Sequence, residues 1–133
     1  MLFSNRKKSF EKHEKSYQHH LEHAISNLER AKQYLVWFKG AISNDTDIWS
    51  IDTSIASINE RIRLLRDDIK VYDSTDLIRD MSANLAVVFQ EGQKWDGEVI
   101  NHLVTALTSL HDATSHINNM ELLKTKIAAK VEW

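Results

Sequence analysis

The sequence predicts an all-α fold, an antiparallel up-down four-helix bundle held by coiled-coil-like heptad packing. Two observations carry this. The first is an apolar repeat alternating three and four residues. It runs Tyr17, Leu21, Ala24, Leu28, Ala31, Leu35, Phe38, Ile42, then Ile48, Ile51, Ile55, Ile58, Ile62, Leu65, Ile69, Tyr72, and near the C-terminus Val99, Leu103, Ala106, Leu110, Ala113, Ile117, Met120. A mean spacing of about 3.5 keeps one narrow stripe on one helix face, the pattern that packs as coiled-coil seams. The second is punctuation. The 133 residues contain no Pro and three Gly (Gly40, Gly92, Gly97), where roughly six or seven Pro and nine Gly would be ordinary. Both residues weaken helix interiors. Apolar–polar alternation of period two, the mark of a strand, is missing.

Four helices within one domain, residues 1–133, follow in order. The first spans about residues 5–42, with its stripe reaching back through Phe10 to Phe3. Asn44-Asp45-Thr46-Asp47 offers side chains that cap free first-turn amides, so the second helix covers about residues 47–72. Asp73-Ser74-Thr75-Asp76 is a further cap cluster, and the stripe changes phase there to Ile78, Met81, Leu85 and Val88. The third helix therefore covers about residues 75–94. Asp96 caps a fourth over about residues 97–131, with Glu98 suited to the positive end of its dipole.

Residues 91–98 admit two parses. Gly92 and Gly97 bracket Lys94, Trp95 and Asp96, which suits a turn. The alternative is a three-helix arrangement with one C-terminal helix of some 57 residues, roughly 85 Å long. The turn is preferred, because so long a helix leaves much of its stripe without a partner. Short linkers make consecutive helices antiparallel. The first and fourth helices, being longer, should then project together beyond the second and third. In the second helix, Ile48, Ile55, Ile62 and Ile69 form one seam row; the first and fourth carry Ala24, Ala31, Ala106 and Ala113. Large facing small would let the first and fourth helices approach closely.

Composition excludes several functions. A formal net charge of −2 gives no electrostatic footprint for nucleic acid. No run of about 18 apolar residues exists to span a membrane. The first residues lack the apolar core of a secretory signal, which favours the cytoplasm. With no Cys there are neither disulfides nor thiolate metal sites.

Seven His are many for this length. His13, His19, His20 and His23 cluster on the first helix. His19 and His23 lie four apart, a chelating spacing, but on the outer face when Leu21 is a seam position. No His has Glu three residues before it, as ferritin-like sites require. His102, His111 and His116 share no helical face well. The cluster reads as solvated, and no metal or cofactor is assigned to it. Ser and Thr on the fourth helix have no loop-borne His and Asp to activate them, and three scattered Gly make no phosphate loop. The chain is expected not to be an enzyme.

The aromatic residues are the better candidates. Trp37 and Phe38 end the first helix, Trp49 begins the second, and Phe89 and Trp95 end the third. Antiparallel packing brings all five to one end. Phe38 and Trp95 fall on the stripe; Trp37 and Trp49 fall off it and should be partly exposed. Ile100, Val104 and Leu107, also off the seam, extend this region along the fourth helix. Trp37, Trp49, Phe89, Trp95, Ile100, Val104 and Leu107 are therefore the candidate partner-binding residues. The expected function is a non-catalytic protein–protein interaction module: an adaptor, regulator, inhibitor or assembly subunit. The partner is another protein of unspecified identity, with a homodimer through the N- and C-terminal helical tails as a further expectation. A metal- or small-ligand-binding bundle is the alternative of another class.

Trp95-Asp96-Gly97, placed in a helix–helix turn, resembles the Trp-x-Gly motif of the small helical-hairpin proteins exported by type VII secretion systems. The likeness covers residues 75–131 and implies a helical protein associated with that route. No Tyr follows Tyr72, so the family's C-terminal Tyr-x-x-x-acid signal has no counterpart.

Overall fold

A computed structural model describes residues 2–67, 71–91 and 96–131, with side chains described for residues 11–67, 78–88 and 96–126. Four helices account for nearly all of them: α1 (Leu2–Gly40), α2 (Asp45–Arg66), α3 (Val71–Glu91) and α4 (Gly97–Val131). Each packs on its neighbours around a square. α1 lies between α2 and α4, and α3 lies between α2 and α4 on the far side. The contact of α1 with α4 is by far the most extensive, and that of α2 with α3 the least.

The seam forms the core. Ala24, Leu28, Ala31, Leu35 and Phe38 of α1 are fully buried, as are Leu103, Ala106, Leu110, Ala113, Ile117 and Met120 of α4. Tyr17, Leu21 and Ile42 pack against them partly exposed. Two separate contacts set the register of α1 on α4. His20 and His23 lie beside His116, while Tyr34 and Trp37 lie beside His102. A step of fourteen residues forward in α1 thus matches fourteen backward in α4, the mark of an antiparallel pair held in phase for two heptads. This register sets Ala24 opposite Ala113 and Ala31 opposite Ala106. Small residues therefore face small residues, and the two backbones can approach closely.

α2 keeps the expected stripe at Ile51, Ile58, Ile62 and Leu65 and departs from it at two positions. Its buried positions are Asp47, Ile51, Ser54, Ile58, Ile62 and Leu65, whereas Ile48 and Ile55 are only half-buried. The helix is turned so that the short Ser54 enters, and Ser54 lines a groove shared with Met81 and Asn84 of α3. Of the expected Ile row, Ile62 is buried and Ile55 packs against the core partly exposed, while Ile69 lies outside the described residues. A helix of 3.6 residues per turn drifts from a strict 3.5 repeat, and α2 is too weakly held by its neighbours to be pulled back.

The boundaries of α2 follow from its caps. Asn44 Oδ1 accepts from the N–H groups of Thr46 and Asp47 at 3.0 and 3.1 Å. The helix ends at Arg66 rather than near residue 72, and α3 begins at Val71 rather than near residue 75. Ending there puts Arg63 and Arg66 in the last turn, where the negative end of the dipole favours them. Asp67 then closes the helix, its N–H donating to the carbonyl of Arg63 at 3.1 Å. Ile69 lies outside the described residues, and Tyr72 belongs to α3.

α3 and α4 are separate antiparallel helices, which rules out one continuous C-terminal helix. Asp96 caps α4, accepting at its carbonyl from the N–H of Ile100 at 3.0 Å. Arg66, at the end of α2, reaches Glu29 at 2.7 Å. Residues 2–28 of α1 therefore continue beyond the end of α2.

Candidate functional site

The aromatic end divides into two surfaces. Trp37 is 49% exposed and Trp49 is 68% exposed, as their places off the seam predict. Phe38 beside them is fully buried.

Trp37 sits on the flank where α1 meets α4. Its ring meets Tyr34 edge-on at 5.0 Å, and His102 lies 5.8 Å from both. The Arg30 guanidinium stands 5.7 Å over the Tyr34 ring, a cation–π distance. The spacing of Arg30, Tyr34 and Trp37 puts them on one helical face, so this side chain row is a direct product of the sequence.

Trp49 sits on the opposite side, at the mouth of a groove of about 490 Å³ between α2 and α3. Asp47 and the hydroxyl residues Thr46, Ser50, Thr53 and Ser57 line one wall; Met81, Val87 and Val88, with the polar Asp80 and Asn84, line the other. Val87 is 53% exposed. Weak packing of α2 on α3 leaves the groove open, and short hydroxyl side chains on α2 keep it shallow.

Ile100, Val104 and Leu107 lie on α4 away from His102. Val104 is about 200° around the helix from His102, and it is exposed. Ile100 is half-buried, and Leu107 packs against the core. These three residues therefore do not continue the Trp37 surface; they occupy the other flank of α4. The side chain of Phe89 and the whole of Trp95 lie outside the described residues.

Three threonine hydroxyls of α4, those of Thr108, Thr114 and Thr125, are engaged with its own backbone. Thr108 and Thr114 donate to the carbonyls of Val104 and Leu110 at 2.9 and 3.0 Å.

One group was not legible in the single-helix reading. The α1–α4 register brings His116 against His19, His20 and His23. The rings of His20 and His116 lie 5.1 Å apart and share a hydrogen bond of 2.8 Å from one Nδ1 to the other. His23 stacks on His116 at 5.2 Å, and His19 lies 4.2 Å from His23. Burial, and then the neighbouring imidazoles, hold His20 and His116 below the ordinary histidine value of 6.5. On His116 the carboxylate of Asp112 opposes this. The available signal was the repeated spacing: His20 and His116 stand two heptads from Tyr34 and His102.

These shifts give stability a pH dependence. The unfolded state takes up protons near 6.5 and the folded state only at lower pH, so the folded form loses ground as pH falls below about 6.5. The melting temperature should be higher at about pH 7.5 than at about pH 5, and His116→Ala should reduce that difference. An unchanged difference in the variant, followed by circular dichroism, would separate the acid sensitivity from this cluster.

No family model, curated protein or solved structure matches the chain.

Proposed function

We propose that the protein is a non-catalytic interaction module that receives a helix of a partner protein in the α2–α3 groove. The observation behind this reading is Trp49. Leaving it 68% exposed forgoes roughly 3 kcal/mol of apolar burial, and it stands over a groove whose far wall carries Met81, Val87 and Val88 alongside Asp80 and Asn84. A groove between two helices, with an aromatic anchor at its mouth, suits an amphipathic helix laid along it. Trp37, with Tyr34 and His102, offers a second contact surface across the bundle. No described helix is long and apolar enough to cross a membrane; a cytoplasmic location is part of the proposal. Self-association through the extended ends of α1 and α4 is a further part of the proposal.

Affinity capture from the native host, with the bound protein identified by mass spectrometry, tests the reading. Trp49→Ala should lose the captured partner while far-UV circular dichroism stays that of the parent. Val87→Asp, on the facing wall, should do the same. Equal recovery by parent and both variants would remove the groove from the account.

A further inference from the structure

The four imidazoles between α1 and α4 point to a second site, independent of the groove. We propose that His20 and His23 of α1, with His116 of α4, bind a divalent transition-metal ion of the zinc class. His20 and His23 are three apart, so both project from one side of α1. Their rings lie 5.1 and 5.2 Å from that of His116. Tetrahedral zinc with nitrogen ligands at about 2.0–2.1 Å sets ring centres about 5 Å apart and ligand nitrogens about 3.3 Å apart. The Nδ1 atoms of His20 and His116 are already at 2.8 Å. A metal therefore replaces one proton shared between two rings, at the cost of a small separation. Among the described residues no three ligating side chains yet converge on one point. Closure needs ring rotation at a partly exposed position, which is a fast motion, while the packed α1–α4 pair holds the two backbones in place.

The surroundings fit a cation. Asp112 stands one turn before His116 and contributes negative charge. His19 also lines an open groove of about 790 Å³ whose carboxylates are Glu11, Glu14 and Glu22, opposed there by Lys15 and Lys124. Imidazole-only ligation suits zinc, nickel and copper rather than magnesium or calcium.

The competing arrangement is a chelate on α1 alone, through His19 and His23. Calorimetric titration of the tag-free full chain with ZnCl2 separates the two. The proposal expects one ion per chain, and a dissociation constant raised at least about tenfold by His116→Ala and by His20→Ala. His116→Asn, which keeps a polar side chain where α4 meets α1, should weaken binding alike. His111→Ala should leave it unchanged. Co2+ in place of zinc should give the intense visible absorption of tetrahedral coordination, lost in His116→Ala. Failure of the parent to bind zinc overturns the proposal. So does parent-like affinity in both His116 variants, which assigns the metal to α1 alone.

Discussion

Ile58→Asp unfolds the domain. Ile58 is fully buried in the middle of α2, and among the described residues no Lys, Arg or His belongs to the buried core. Removing the side chain alone costs about 2–5 kcal/mol. Burying an unpaired carboxylate adds several more, or forces it to take up a proton. The total reaches the whole stability of an ordinary domain, about 5–15 kcal/mol. Ile62→Asp is expected to follow, since Ile62 is buried one turn further on. Far-UV circular dichroism should show a large loss of helix and no cooperative thermal transition. A variant that stayed fully helical and melted cooperatively would take Ile58 out of the core. The effect should be strongest for α2, because α2 has the smallest contact with its neighbours and little else retains it once its apolar face is broken.

Ala31→Leu should destabilise the bundle by about 3 kcal/mol or more. Ala31 is fully buried and the register places it opposite Ala106, likewise fully buried. Added carbon atoms at that point have no pocket to enter, and they push α1 from α4 along the interface that carries most of the packing. Overpacking a core position ordinarily costs about 1–3 kcal/mol; separation of two long helices puts this case at the top of that range. Ala24→Leu should behave in the same way against Ala113. Ala56, exposed on α2, is the matched control, where Leu should change stability by less than about 0.5 kcal/mol. Urea unfolding of the three variants gives the comparison. Parent-like stability in Ala31→Leu would mean that α1 and α4 are not closely packed at these alanines.

The faces of α1 and α4 were legible because a heptad stripe is a property of one helix. Leu28, Leu35, Phe38, Leu103 and Leu110 could each be placed by counting along the chain, and all are buried. So could the exposure of Trp37 and Trp49. Other features depend on relations between helices. The inward turn of Ser54 reflects how weakly α3 holds α2. The early end of α2 reflects a balance of dipole, Arg63 and Arg66 that the unbroken apolar spacing masks. The meeting of His116 with His20 depends on the α1–α4 register, which no single stripe fixes. Searching His116 for companions on its own helix found none, because its companions are on α1. The division of the aromatic end has a similar origin. The angle around each helix sends Trp37, Trp49 and Val104 to different sides of the bundle.

The fixed antiparallel pairing of α1 with α4 underlies the core, the histidine site and the separation of the two tryptophan surfaces. The chain contains no Cys, so paired substitutions report on that register without interference. Ala24→Cys combined with Ala113→Cys, both buried and facing each other, should form an intramolecular disulfide when the protein is refolded in an oxidising thiol buffer. Ala31→Cys combined with Ala113→Cys, displaced by one heptad or roughly 10 Å, should not. Equal crosslinking of both pairs, or preference for the second, would contradict the register and the placement of everything built on it.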